Sequence, residues 1–595
     1  MRTVVRLVPA VVLAAALVGS VVAPAQAEVP TPKSPEAVGY GGAVASVDAD
    51  ATAAGIAVLR KGGNAVDAAI AVAAALGVTE PYSSGIGGGG YFVHYDARTG
   101  KVETLDGRET ASRTADQSLF LENGQPLAFA DAVTSGRSVG VPGTAAVWDK
   151  ALRLWGTRDL REVLKPAEKI AEQGFVVDQT FHDQTALNQA RFKDFPATRE
   201  LFLPGGQLPV VGSRLRNPDL AATYRELGRN GVQAFYHGKL AADVANTIAH
   251  PPVDPASGRN ARPGKVDTTD LAAYRVKEQA PTHVKYRGDD VYSIAPSSSG
   301  GTTGGEALGI LGRFDLASMS QAEYLHHFLE ATRLAFADRN RWVGDPSQVE
   351  VPTKQLLSPA FAADRACLID PAHAAPGPVA PGDPYHPTAC GSTGKAVPEG
   401  YEGPNTTHLT VADRWGNVVS YTLTIEQTGG SGITVPGRGF LLNNELTDFS
   451  FTPLVPGVPD PNLPGPGKRP RSSISPTIVL RDGKPFMAAG SPGGATIITT
   501  TLQVLLGRID RGLTLEQAIA APRASQRNAA VSGAEPAFLA GPDRAGLEAL
   551  GQKFSDAGEI GAATGVERLP DGRWVAAAEP VRRGGGSAAV VRPSR

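Results

Sequence analysis

The sequence predicts an α+β protein. Helical punctuation brackets residues 50–60 and 65–76, strand-like runs mark 91–95 and 485–489, and residues 409–425 read as two strands about a short turn. The two early helices are broken by Gly62-Gly63, with Asn64 a natural N-cap and Asp67 in the first turn behind it. The second helix is apolar nearly all round and is therefore expected to be buried. Gly85-Ile-Gly-Gly-Gly-Gly90 matches the dinucleotide-binding fingerprint in letters only. That fingerprint needs a strand before it and a helix after it, and here the order is reversed, so a close backbone approach between sheet and helix is the expected reason for the glycines. Between residues 150 and 280 lie charge-bearing helical stretches such as 157–172 and 219–227, followed by helices at 306–311 and 321–341. Residues 451–470 are rich in Pro and Gly and read as loop. The strand at 485–489 leads through Gly493-Gly494 into a helix at 497–509.

Composition narrows the setting. The formal charge is −2 from 57 basic and 59 acidic residues, interspersed, which argues against nucleic acid or an anionic membrane as partner. Residues 1–27 carry Arg2 and Arg6, an apolar run from about residue 8 to 22, and Ala25-Gln-Ala27 as a small-residue cleavage site: a signal peptide, and hence a secreted protein, extracellular or periplasmic. No cysteine stands directly after the cleavage site, which argues against a lipid anchor, and no other stretch is apolar for long enough to span a bilayer. Cys367 and Cys390, the two cysteines, have 22 residues between them and are a disulfide candidate in an oxidising compartment, the other reading being two buried thiols. A bridge closing such a loop is worth about 3 kcal/mol on the chain-entropy account. His326, His327 and Glu330 share a helix face but lack an H-E-x-x-H pattern, so hydrogen bonding rather than a metal is expected. Ser298-Ser-Gly-Gly301 is not a nucleophile elbow, and no P-loop lysine is found.

Asn405-Thr406-Thr407-His408 precedes the paired strands. A Thr-Thr dipeptide is ordinary strand sequence. If the Asn405–Thr406 bond were cut, however, Thr406 would carry a nucleophilic hydroxyl and, on the same residue, an amine able to take its proton. With Asp413-Arg-Trp-Gly-Asn417 as the turn, paired residue numbers sum to about 830, which sets Thr424 opposite Thr406. Gly493 and Gly494, ahead of a helix, suit an oxyanion site, or form a plain strand-to-helix turn.

The wider set of motifs resembles the γ-glutamyltransferase (γ-glutamyltranspeptidase) family from about residue 38 to the C-terminus. It comprises Lys61-Gly-Gly-Asn-Ala-Val-Asp-Ala-Ala69, the glycine run ending Tyr91-Phe92, Asp106-Gly-Arg-Glu109, Pro296-Ser-Ser-Ser-Gly-Gly301, Leu334-Ala-Phe-Ala-Asp-Arg339 with Gly344-Asp-Pro346, the Thr406 segment, Leu441-Leu-Asn-Asn-Glu445, Asp448-Phe449, Lys468-Arg-Pro-Arg-Ser-Ser473 and Gly490-Ser-Pro-Gly-Gly494, in that order. The resemblance implies an N-terminal nucleophile hydrolase αββα four-layer sandwich, built after self-cleavage from a large subunit, 28–405, and a small one, 406–595, as one domain. It implies Thr406 and Thr424 with the Gly493 and Gly494 amides as catalytic groups and Asn405 and Thr406 as the cleavage site. It implies Arg108, Ser472 and Ser473 on the donor carboxylate, Glu445 and Asp448 on its ammonium, and no cofactor. Donors would be small γ-glutamyl amides of the glutathione class; acceptors would be water, amino acids or peptides. Two departures stand out. Glu426 replaces the family's usual asparagine, and the loop from 449 to 468 lacks a tyrosine and is short, both of which favour hydrolysis over transfer. A cephalosporin- or glutaryl-type acylase and a non-catalytic binder of glutamyl peptides remain as alternatives.

Overall fold

A computed structural model describes residues 28–594 apart from Ala389, Thr393 and Pro404. The signal-peptide expectation lies outside the described residues. Strand Glu36–Ser46 organises the architecture. Its start pairs antiparallel with Trp574–Ala578, Ala37 opposite Ala576, and its end with Thr407–Asp413, Ala43 opposite Ala412. Gly41 and Gly42, at φ 85° and 128°, form the bend between the two pairings, where the register against Ser587–Pro593 also shifts. A strand that changes partners in mid-course thus joins two sheets into one hydrogen-bonded sheet of thirteen strands among the described residues, twelve along one path and Ser587–Pro593 beside Glu36–Ser46. On one side lie Thr407–Asp413, Val418–Thr424, Gly89–Asp96 and Lys101–Gly107; on the other lie Trp574–Ala578, Thr564–Arg568, Lys484–Gly490, Thr477–Arg481 and Asp289–Ser293, antiparallel throughout.

The two halves stack face to face. Val93, Ala412 and Val418 of the first share a buried apolar cluster with Ile478, Ala488 and Val566 of the second. The outer face of the first half packs on Ala49–Arg60 and Ala65–Thr79, and that of the second on Gly300–Leu311, Gln321–Trp342 and Thr496–Ile509. The order is helix, sheet, sheet, helix. Because both faces of each sheet are covered, all residues of Thr407–Asp413 and Val418–Thr424 are buried. Full burial of each large apolar side chain there contributes about 1.5–3 kcal/mol. Among the described residues no helix is long and apolar enough to cross a membrane.

Local signals were read with one main exception. Helix Ala65–Thr79 is buried along its whole length and begins in a capping box: Asn64 Oδ1 accepts from the Val66 and Asp67 amides at 3.0 Å, and Asp67 returns the bond to the Asn64 amide. Leu160–Gln173 starts later than residue 157 because Asp159 caps it. The helix expected from residue 306 instead starts at Gly300. Its glycines serve contact rather than breakage: a Cβ on Gly300 would lie 2.1 Å from the Ile474 carbonyl oxygen. The Gly85–Gly90 run makes a close approach too, but to strand rather than helix, since a Cβ on Gly88 would meet the Thr424 carbonyl oxygen at 2.0 Å. Cys367, just beyond helix Pro359–Ala366, is disulfide-bonded to Cys390, with Cα atoms 5.3 Å apart. His326, His327 and Glu330 are buried and hydrogen-bonded, to the Asp370 carbonyl, the Glu323 carbonyl and Gln552 respectively.

Candidate active site

The hairpin sets the centre of the site. Thr407 pairs with Leu423 and His408 with Thr422, so the register places Thr406 against Thr424, as the turn spacing predicts. Asp413 carboxylate oxygens accept from the Trp415 and Asn417 amides and hold the turn that fixes this register. Thr406, Thr424 and Asn405 are all buried. The Thr424 hydroxyl accepts from the Glu426 amide at 2.8 Å and from the Thr406 hydroxyl at 3.4 Å, and donates to the Asn405 carbonyl oxygen at 3.0 Å. A hydroxyl has one proton and two lone pairs, so these three contacts use its full capacity and orient it. The Asn405–Thr406 peptide therefore has its carbonyl polarised by the same hydroxyl that accepts the hydrogen bond of the Thr406 hydroxyl.

The peptide is clamped from the other side by residues that carry no sequence signal. Arg583 donates from Nη1 to the Thr406 carbonyl at 2.8 Å and from Nη2 to the Asn405 side-chain oxygen and to Ser83. Asn405 Nδ2 donates to the Tyr82 carbonyl at 2.7 Å. Gly493 and Gly494, at φ 135° and 55°, turn the chain into helix Thr496–Ile509. A Cβ on Gly494 would stand 2.4 Å from the Gly403 carbonyl oxygen, so this turn lies against the segment ahead of the Asn405–Thr406 bond.

Arg108 lies at the end of strand Lys101–Gly107, wholly buried. It pairs through Nη1 with Glu445 and through Nη2 with Asp448 at 2.5 Å, and donates to the Pro470 and Arg471 carbonyls at 3.3 and 3.0 Å. Burial works against the Arg108 charge, but Glu445 and Asp448 outweigh it and push its pKa well above the ordinary range. Glu426 sits at φ 79°, buried, accepting from Asn444. Ser472 Oγ accepts from the Ile474 amide at 3.0 Å and Ser473 Oγ from Arg339 Nη2 at 2.8 Å, both serines buried. Arg108, Glu445 and Asp448 are thus brought into direct contact, with Glu426 acting on the two acids through space.

Charge counting describes the state of this cluster. Burial first, then mutual repulsion, raises Glu426 and Glu109 well above the usual carboxylate range; burial raises Asp448 and Glu445 although Arg108 opposes it. Burial and mutual repulsion thus both work against ionising all four acids together, and an added cation would favour their charged forms. Binding of an α-ammonium is expected to release protons and to weaken as the pH falls. Calorimetry of L-glutamate with processed protein, in two buffers of different ionisation heat, checks this; equal heats in both buffers would count against it. The raised Glu426 pKa means that its carboxyl favours the folded state in acid and loses that contribution as pH rises. Glu426→Asn, which also suits a left-handed φ, is therefore expected to raise the denaturation midpoint at pH 7–8 more than at pH 4–5.

A stacked, helix-flanked pair of antiparallel sheets, with Thr407–Asp413 an interior strand of the first, defines an N-terminal nucleophile hydrolase fold. A sequence profile described as Gamma-glutamyltranspeptidase matches residues 51–589, and the chain belongs to the γ-glutamyltranspeptidase family. It is 40% identical to a glutathione hydrolase proenzyme of Bacillus subtilis (strain 168) over 491 residues, covering 82% of this chain and 81% of that one. It is 37% identical to the glutathione hydrolase proenzyme of Escherichia coli (strain K12), covering 91% and 90%. The crystal structure of a cephalosporin acylase from Bacillus halodurans superposes with a TM-score of 0.80 at 28% identity, covering 96% of this chain and 99% of that one.

Proposed function

We propose that this chain is a secreted proenzyme that cuts itself between Asn405 and Thr406 and then acts as a γ-glutamyltransferase and glutathione hydrolase. The observation that carries the reading is the Thr406–Thr424–Asn405 arrangement at the head of the hairpin, in a chain of this family. In the uncut chain Thr406 Oγ attacks the Asn405 carbonyl carbon. The C–N bond breaks, the hydroxyl proton passes to the Thr406 nitrogen, and an ester results. Water hydrolyses the ester, leaving a carboxylate at Asn405 and a free amine and hydroxyl on Thr406. In the processed enzyme that amine, with an ordinary pKa of about 7.7–8.0, takes the Thr406 proton as Oγ attacks the donor γ-carbonyl, and returns it to the leaving amine. The Gly493 and Gly494 amides face the oxyanion. Water or an amine acceptor then releases the γ-glutamyl group from Thr406.

Donor recognition is ion exchange within a preformed cluster. The donor carboxylate takes Arg108 together with Ser472 and Ser473, and the donor ammonium takes Glu445 and Asp448, which Arg108 gives up, with Glu426 beside them. Arg108→Lys keeps charge and loses the planar fork, so kcat/KM with a γ-glutamyl anilide should fall about tenfold to a hundredfold while self-cleavage survives. Unchanged kinetics would remove Arg108 from the donor site.

Intact mass of the exported protein, read together with γ-glutamyl anilide turnover, tests the whole proposal: two paired chains beginning near residue 28 and at Thr406 are expected. A second reading, a glutaryl-type acylase, draws on Glu426 and on the likeness to the cephalosporin acylase structure. A glutaryl amide cleaved faster than the γ-glutamyl anilide would favour it. Glu426 also favours water over charged acceptors, so hydrolysis should outrun transfer, and Glu426→Asn should raise the yield of γ-glutamyl dipeptide relative to glutamate.

A further inference from the structure

Arg339 is fully buried near the end of the long helix Gln321–Trp342. Its Nε donates to Ser299 Oγ at 2.8 Å, its Nη1 to Asn340 Oδ1 at 3.1 Å, and its Nη2 to Ser473 Oγ at 2.8 Å, all neutral partners. Among the described residues the carboxylate paired with it is Glu402. Glu402 stands three positions ahead of Asn405, on the segment whose next residue, Gly403, lies against Gly494. Its charge is felt by Glu445 and Asp448, which places it beside the Arg108 cluster.

Gly403 and the Glu402 carbonyl lie against the Gly494 turn, so Glu402 is part of the segment packed there in the uncut chain. Cutting the chain at Asn405 releases the far end of this segment. Departure of Glu402 would leave Arg339 as a desolvated guanidinium with neutral partners alone, a state strongly disfavoured until another carboxylate arrives. Resting on the reading above, we propose that Arg339 is a second guanidinium for the donor α-carboxylate, alongside Arg108, and that Glu402 occupies its place in the uncut chain. Ser473, whose oxygen already accepts from Arg339, then has its proton free to donate to the same carboxylate. The two serines thus lie between two cations, and the α-carboxylate is bound by a fork on each side. Maturation therefore exchanges an internal carboxylate for that of the substrate.

The test pairs a residue change with a substrate change. Arg339→Gln is measured in processed protein with γ-glutamyl-p-nitroanilide and with 4-aminobutyryl-p-nitroanilide, which keeps the ammonium and lacks the α-carboxylate. KM for the first is expected to rise at least tenfold with kcat altered less, while kinetics with the second change less than twofold. Arg339→Lys should lie between parent and Gln on the first substrate alone. If Arg339→Gln is not cut, Arg339→Lys supplies the comparison. Equal losses on both substrates would make Arg339 a packing residue, and no loss on either would exclude it; both results overturn the proposal. Failure of the parent to turn over either anilide would instead refute the proposed function, leaving the two failures distinguishable.

Discussion

Thr406→Ala should remain a single chain and lose turnover of γ-glutamyl donors by on the order of 10⁴-fold or more. The hydroxyl that attacks the Asn405 carbonyl and the one that later accepts the acyl group are the same atom, so one substitution removes both steps. Thr424 cannot substitute: its single proton is already committed to the Asn405 carbonyl, and its lone pairs are taken by Thr406 and the Glu426 amide. Denaturing electrophoresis and intact mass read the first effect, and anilide turnover reads the second. Complete cutting of Thr406→Ala would sink the self-processing mechanism. Thr406→Ser should cut more slowly but still cut, since it keeps the hydroxyl and loses the methyl that restricts its rotamer.

Gly494→Ala carries the second largest expected effect. Its φ of 55° disfavours a side chain, and the added Cβ would meet the Gly403 carbonyl oxygen at 2.4 Å and the Glu402 carbonyl oxygen at 3.2 Å. Both contacts push on the segment that presents the scissile peptide, so maturation should slow. In protein that does mature, reorientation of an oxyanion donor should lower kcat by about 10²- to 10³-fold, with a smaller change in KM. Gly457→Ala is the control: it also has positive φ, at 77°, but open space around its Cβ position, so it should retain parental kcat. A Gly494→Ala enzyme with parental kcat would remove this glycine from the oxyanion site.

The hairpin and the Thr406–Thr424 juxtaposition were legible in the sequence because their determinants are local. A turn held by Asp413 fixes register, and the two-residue period of a strand carries that register outward to Thr406 and Thr424 without reference to the rest of the fold. Helix Ala65–Thr79 was legible for a like reason, its cap and its all-round apolar surface lying within fifteen consecutive residues. The helix from Gly300 was not, since glycine reads as a breaker until the Ile474 backbone that its glycines approach is known.

The sequence by itself determined that Thr406 stands opposite Thr424, where the glycine turn falls and which residues carry charge. Only the tertiary structure decided which charges meet. Arg108 finds Glu445 across 337 positions, Arg583 finds the Thr406 carbonyl across 177, and Arg339 finds Glu402 across 63. Separations of that size set no distance in a flexible chain. The physical consequence, two buried carboxyl groups paired with one guanidinium and two more raised beside them, arises only when the fold brings those segments together and excludes water from between them.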